Sequence, residues 1–190
     1  MEPIVEPEID LFDKDILSME EVQKLSDFVH SSESNHLKFS EQLEENIPKG
    51  GQKASLATGI SLFIVGRYTE AAKKLKKGKD CEAKFIYLAF ALRQTGKFDE
   101  AIENFERSVD HGAAALNITL EKAATYRLAS DFDSAAKELK TCSNFENVSA
   151  EYHYQLARLQ EAQGLYEEAM DNYNTALELS PNHQKILKDY

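Results

Sequence analysis

Four copies of one short corner constrain this chain more than any other feature in it. Gly66-Arg-Tyr-Thr-Glu-Ala-Ala72 returns as Gly96-Lys-Phe-Asp-Glu-Ala-Ile102, as Ser130-Asp-Phe-Asp-Ser-Ala-Ala136 and as Gly164-Leu-Tyr-Glu-Glu-Ala-Met170. The aromatic residues Tyr68, Phe98, Phe132 and Tyr166 are separated by 30, 34 and 34 residues. A period in this range marks a stacked architecture, in which each unit hides its apolar side on the next.

Each copy reads as the corner between two antiparallel helices. Gly66, Gly96 and Gly164 suit the left-handed residue that ends a helix, where a side chain would clash. Ser130 takes that place in the third copy, at a cost of roughly 1 kcal/mol. Asp99, Asp133 and Glu167 follow the corner, where a carboxylate favours a new helix N-terminus. About a dozen residues of helical apolar spacing lie on either side. Two columns then fix how closely the helices pack. Ala71, Ala101, Ala135 and Ala169 fall three residues after the aromatic residue, and Gly59, Ala89, Ala123 and Ala157 fall nine before it. Small residues at both places let backbones approach, so that the aromatic side chain wedges in below. On the second helices, Leu75, Phe105, Leu139 and Tyr173 are followed three residues later by Gly78, Ser108, Cys142 and Ala176, a pair of positions that faces the neighbouring unit.

This pattern resembles the tetratricopeptide repeat family. The fourth unit, Ala150 to His183, matches best, with Leu156-Ala157, Gly164, Tyr166, Ala169, Tyr173, Ala176 and the closing Pro181. The resemblance covers about Gln52 to His183. Three departures stand out: only the fourth unit keeps its closing proline, Lys122 replaces the family's leucine in the third, and the first is four residues short. The resemblance implies an all-α fold, a right-handed superhelical solenoid of antiparallel helix pairs. The units expected are 52–81, 82–115, 116–149 and 150–183.

Ahead of the repeats, charge and turn chemistry divide the chain again. Residues 1–50 hold 13 acids against 4 bases, so most of the net charge of −11 belongs to this segment. An acidic balance disfavours bulk nucleic-acid binding. Residues 1–17 are acidic and predicted to be partly disordered, yet they carry Ile4, Val5, Ile9, Leu11, Phe12, Ile16 and Leu17. Ser18-Met-Glu-Glu21 is a capping box. Val22, Leu25, Phe28 and Val29 give the following helix an apolar face, and Ser31 to Asn35 breaks it. A second helix runs to about Asn46 with Phe39, Leu43 and Ile47 four apart. Pro48-Lys-Gly-Gly51 closes this cap-like pair, assigned to 18–51. The last residues, 184–190, read as the start of a capping or further repeat helix, favouring a piece of a longer array.

In the resembled family the first helix of each unit lines a concave groove. By register those residues are Leu56, Ile60, Phe63 and Ile64 in the first unit, and Ile86, Tyr87, Phe90, Arg93 and Gln94 in the second. The third offers Leu120, Glu121, Ala124, Arg127 and Leu128, and the fourth Tyr154, Gln155, Arg158 and Glu161. The groove is thus apolar at one end and gains three arginines toward the other, which suits a segment part apolar and part acidic. Packing between adjacent helices is the competing explanation for any one of those apolar residues, and surface pairing with Glu121 or Glu161 is that for Arg93, Arg127 and Arg158. Some relatives hold acidic chaperone tails with charged groove residues. Leu56, Ala57, Ile60, Ile86, Tyr87 and Phe90 stand at the corresponding places, so that clamp is not matched.

The expected function is therefore the binding of a protein or peptide segment, with residues 1–47 a candidate occupant within the chain. A self-assembling scaffold is the second reading. A third, polyanion binding through Lys73–Lys79, competes with a solvated outer face from which Leu75 alone points inward. Catalysis is not expected. His30 and His36 lie six apart in a serine-rich turn, His153 sits at a packed position, and no nucleophile with a base or glycine-rich phosphate loop can be read. Cys81 and Cys142 match no metal or redox spacing. No metal or cofactor is implied. With neither an apolar run of spanning length nor a basic-then-apolar leader, a cytoplasmic, reducing location is expected, in which Asn117-Ile-Thr and Asn147-Val-Ser carry no glycan.

Overall fold

Every described segment with regular structure is helical, as the 3.6-residue apolar spacing requires. The computed structural model describes residues 18–46, 52–182 and Ile186. It divides into two compact units, Met1–Gly112 and Ala113–Tyr190. The expectations for residues 1–17, for Ile47 to Gly51 and for most of the 184–190 helix lie outside the described residues.

The first unit opens with α1 (Met19–His30) and α2 (Glu33–Asn46). The capping box at the start of α1 forms in full: Ser18 Oγ accepts from the Glu21 amide at 3.2 Å, and the Glu21 carboxylate accepts from the Ser18 amide at 3.0 Å. Two backbone donors that the helix leaves orphaned are thereby satisfied. Val22, Leu25 and Val29 are buried, one helical face as the spacing demanded. The break after α1 is shorter than Ser31–Asn35. Ser32 accepts from the Asn35 amide and starts α2 at Glu33, so Asn35 is already helical. Asn35 instead ties the corner together, donating from its side chain to the Phe28 carbonyl.

Two hairpins follow in the same unit, α3 (Gln52–Ile64) with α4 (Tyr68–Leu75), then α5 (Glu82–Gln94) with α6 (Phe98–Asp110). Helix α5 packs on both α3 and α4. Leu75 is fully buried, and Gly59 explains how. A Cβ built at Gly59 would stand 2.6 Å from Leu75 Cγ and 3.1 Å from its amide nitrogen, so only glycine lets α3 and α4 meet here. The fully buried rings of Phe85 and Phe105 anchor the second hairpin. Lys73 on α4 and Lys76, Lys77 and Lys79 in the turn that follows it are exposed, as a solvated face would place them.

The second unit holds α7 (Ala115–Leu128) with α8 (Phe132–Thr141), a short 3-10 turn at Ser143–Phe145, then α9 (Ala150–Ala162) with α10 (Tyr166–Leu179). Leu120, Ala123, Ala135, Leu139, Cys142, Tyr152 and Leu159 form one core, so α9 covers the hairpin before it. Lys122, the family's leucine position, lies at the edge of that core and reaches Glu138 at 3.0 Å, exchanging an apolar contact for an ion pair between α7 and α8. Buried Cys142 packs as a small apolar residue, its thiol pKa pushed up by that burial.

The corner residues adopt the backbone that the sequence required. Gly66, Gly96 and Gly164 have φ of 80°, 73° and 80°, and Ser130 has φ of 61°. A side chain at Ser130 costs about 1–2 kcal/mol in this region, against roughly 0.5–1 kcal/mol of extra chain entropy lost by a glycine. Ser130→Gly is therefore expected to stabilise the protein by about 0.5–1 kcal/mol, read as a higher Tm. A lower Tm would show that the serine side chain offsets the strain.

Candidate functional site

Register placed seven apolar groove residues on the first helices of unit one, and the fold divides them into two sets. Leu56, Ile60, Ile64 and Ile86 are buried, with Ile60 fully so. The extended apolar strip that the sequence suggested is therefore largely interior. Phe63 and Phe90 are half-buried, Tyr87 is almost covered, Arg93 is half-buried and Gln94 is exposed.

What remains accessible in unit one is an aromatic ledge. Phe63 stands 5.4 Å from Tyr68, 5.3 Å from Tyr87 and 6.1 Å from Phe90, measured between ring centroids. Phe90 is edge-on to Phe105 at 5.4 Å. These tilted, stacked and edge arrangements are the favourable ones for aromatic quadrupoles, and they hold the rings in place before any ligand arrives. The Arg93 guanidinium lies 5.0 Å from the Phe90 ring and 5.7 Å from that of Phe105, a cation seated on aromatic faces. Helix α5 makes this possible: Tyr87, Phe90 and Arg93 (and Gln94) recur at i, i+3, i+6 and i+7, so one face carries all of them. Burial pushes the Tyr87 phenol pKa up to about 12, so it stays neutral throughout the physiological range.

Unit two presents a more polar first-helix face. Leu120 and Ala124 are buried, Arg127 and Glu121 are half-buried and Leu128 is exposed. On α9, Tyr154 and Gln155 are buried, Arg158 is half-buried and Glu161 is exposed. Arg158 Nε lies 3.5 Å from the Glu161 carboxylate, the pairing that the sequence offered as one explanation for its arginines. Tyr173 donates to the same carboxylate at 3.0 Å; burial first, and Glu161 second, raise its pKa. Tyr154 and Tyr173 are also in ring contact at 6.2 Å.

The histidines that the sequence singled out can be placed among the described residues. No group of three or more His, Cys, Asp and Glu side chains there could hold a metal ion. His153 is tied to Asn172 Oδ1 at 2.7 Å and to the Glu146 carbonyl at 2.8 Å, while packing edge-on to Tyr152. His30 and His36 have ring centroids 6.1 Å apart across the α1–α2 corner. No described helix is long and apolar enough to cross a membrane.

Sequence reasoning missed the role of Phe105 and Tyr68 in this ledge, because both were read only as packing positions. A signal was present: Phe63, Tyr68, Phe85, Tyr87, Phe90, Phe98 and Phe105 place seven of the chain's aromatic residues within two hairpins.

Comparison with known proteins agrees with this architecture. Tetratricopeptide repeat models match residues 88–141 and 150–183. No curated protein sequence matches significantly. Among solved structures, MamA is 14% identical with a TM-score of 0.58, over 90% of this chain and 99% of that one. YrrB, described as a TPR protein with an unusual peptide-binding site, is 17% identical with a TM-score of 0.57, covering 90% and 88%. The Cut9–Hcn1 hetero-tetramer of the APC/C gives 14% identity and a TM-score of 0.63, over 86% of this chain and 32% of that one. At these identities the structures speak to the fold alone, and they agree with the repeat matches on what it is. The chain belongs to the tetratricopeptide repeat family of protein-interaction modules.

Proposed function

We propose that the chain binds a peptide segment of a protein partner on the first-helix face of its repeats, with the unit-one ledge as the anchor. The observation that carries this reading is the arrangement of Phe63, Phe90 and Arg93: two half-exposed rings, already stacked, beside a guanidinium. An apolar side chain can lie on the rings while a neighbouring carboxylate meets Arg93, which offers planar, charge-assisted hydrogen bonds. Little side-chain entropy is lost on binding, since ring packing already fixes the rotamers. The description of YrrB as having a peptide-binding site supports the same use of a related fold.

The required ligand chemistry, an apolar residue next to an acid, also occurs in the chain's own Ile9-Asp-Leu-Phe-Asp-Lys-Asp-Ile-Leu17. Seventeen extended residues span at most about 56–61 Å. That segment is accordingly a candidate occupant, either as a fixed cap or as a self-inhibitor.

Peptides selected from a random display library on the intact chain should pair an apolar residue with an acid. Arg93→Glu should weaken them roughly tenfold to a hundredfold, the range of a lost charge-assisted contact. Phe90→Ser should do the same with helicity unchanged. Ile60→Glu is unsuitable for this purpose, because Ile60 is fully buried and its loss would unfold the unit. Selection of no such peptides, or indifference to both substitutions, refutes the reading. If residues 1–17 occupy the ledge, removing them should strengthen the selected peptides and lower the Tm.

A further inference from the structure

Sequence spacing separates His30 from His36, and the fold brings them together. Six residues apart in an irregular turn, the two imidazoles would point independently. Instead His30 is the last residue of α1, and His36 lies in the first turn of α2. Their ring centroids are 6.1 Å apart, with the planes tilted by 49°. An ion held by a ring nitrogen at about 2.0–2.1 Å stands about 3.2 Å from the centroid of that ring. Two rings that share one ion therefore have centroids between about 4.5 Å apart, at a right angle, and about 6.4 Å, in line. The observed separation falls inside that window, so rotation of the two side chains is enough to bring both nitrogens to one ion.

The surroundings prepare the pair for this use. His30 Nδ1 lies 2.8 Å from the Ser26 carbonyl oxygen, with Ser26 Oγ 3.3 Å from the same nitrogen. A carbonyl oxygen only accepts, so Nδ1 carries the proton and Nε2 of the neutral ring keeps its lone pair. Metal-bound histidines are held in the same way, one nitrogen donating to a carbonyl while the other coordinates. His30 is exposed and His36 half-buried, and among the described residues no hydrogen bond engages the ring nitrogens of His36. The backbone beneath them is tied. Asn35 Nδ2 donates to the Phe28 carbonyl at 3.2 Å and to Ser31 Oγ at 3.0 Å, and Ser31 Oγ donates to that carbonyl at 2.7 Å. These bonds join the end of α1 to the start of α2, so chelation orders little that is not ordered already. Charge favours a cation as well: residues 18–46 hold seven acids against two lysines, and one of those, Lys24, is paired with Glu20 at 2.6 Å.

We propose that His30 and His36 chelate one divalent transition-metal ion across the α1–α2 corner, with water completing its coordination. Two imidazoles are fewer than the four protein ligands of a closed structural site. That agrees with the finding that no described group of three or more His, Cys, Asp and Glu side chains could hold an ion. The ion is therefore exchangeable. Imidazole ligands select copper, nickel and zinc over magnesium and calcium, and Cu2+ is bound most tightly. Because the rings meet only when the corner is folded, the bound ion cross-links α1 and α2 and stabilises the pair ahead of the repeats. None of the ledge residues takes part.

The test uses the full chain and the metal ions alone. Isothermal titration should show Cu2+ and Ni2+ binding, Cu2+ the more tightly, with no competition from Mg2+. His30→Gln and His36→Gln should each weaken Ni2+ roughly tenfold or more. The double variant should bind little more weakly than either single one, because one imidazole already leaves no chelate. Electron paramagnetic resonance of the Cu2+ form should show coupling to two imidazole nitrogens, and to one in each single variant. Ni2+ at about 100 times its Kd should raise the Tm by about 5 °C or more, and leave that of either variant unchanged. His111→Gln, at the end of α6, should change none of these. A stoichiometry that falls in each single variant at unchanged affinity would show two independent histidines and overturn the proposal. So would a single nitrogen in the parent spectrum, indifference to both substitutions, or no binding tighter than about 1 mM.

Discussion

Phe105→Ala is expected to destabilise the protein by about 3–5 kcal/mol, the cost of deleting a fully enclosed aromatic ring and leaving a cavity. The ring is fully buried on α6, edge-on to Phe90 at 5.4 Å and with the Arg93 guanidinium 5.7 Å from its centre. Its removal also takes away the support beneath Phe90, so the ledge should lose ligand affinity before it loses its helices. Chemical denaturation followed by circular dichroism would measure the stability change, and anisotropy of a ledge-selected peptide at low temperature would measure the second effect. A loss under about 1 kcal/mol would mean that the hairpin α5–α6 collapses into the space, and that the ledge is not held from below.

Gly59→Ala should also destabilise the protein, although it adds only a methyl group. That methyl would meet Leu75 Cγ at 2.6 Å and Cδ2 at 2.9 Å, with the Leu75 amide nitrogen at 3.1 Å. The side chain could turn away from such a contact if it had room, but Leu75 is fully buried and the nitrogen belongs to the backbone. Overpacking of this kind costs about 1–3 kcal/mol. Leu75→Ala alone costs about 2–5 kcal/mol through the cavity it leaves. In the double variant the two changes relieve one another, because the new methyl enters the vacated space. A double-mutant cycle by denaturant unfolding should therefore give a coupling of about 0.5–3 kcal/mol in the compensating direction. Strict additivity would show that α3 and α4 separate instead of clashing.

Both expectations depend on a distinction that bears on how the sequence should be read. The repeat signal was legible because it is local. A glycine or Ser130 must take positive φ at the corner, small residues must sit where helices cross, and apolar residues must recur every 3.6 positions. The capping box at Ser18 was legible for the same reason, since its donors and acceptors lie three residues apart. Even the exposed character of the Lys73–Lys79 run could be read, because Leu75 and Gly78 mark the inward side.

Register alone was a poorer guide to the candidate site. It named Leu56, Ile60, Ile64 and Ile86 together with Phe63 and Phe90, since all occupy first helices. Only packing separates the residues that neighbouring helices consume from those left at the surface. The length of the α1–α2 corner was overestimated in a similar way: Ser31 to Asn35 is polar throughout, and only the hydrogen bond from the Asn35 amide to Ser32 shows where α2 begins. The sequence offered one and the same explanation for all three arginines, pairing with Glu121 or Glu161, and could not tell them apart. Arg93 lies over aromatic rings, while Arg158 lies near the carboxylate of its own helix.

The sequence by itself determined that this chain forms antiparallel helix pairs with four corners of one backbone form, because φ preference, side-chain volume and helical period act over a few residues. Only the tertiary structure decided which apolar side chains are shared between helices and which remain available, for that depends on whether another helix arrives to cover them. Leu75 and Tyr166 show the difference: both lie on second helices in repeated positions, yet one is enclosed by its neighbours and the other is open to solvent.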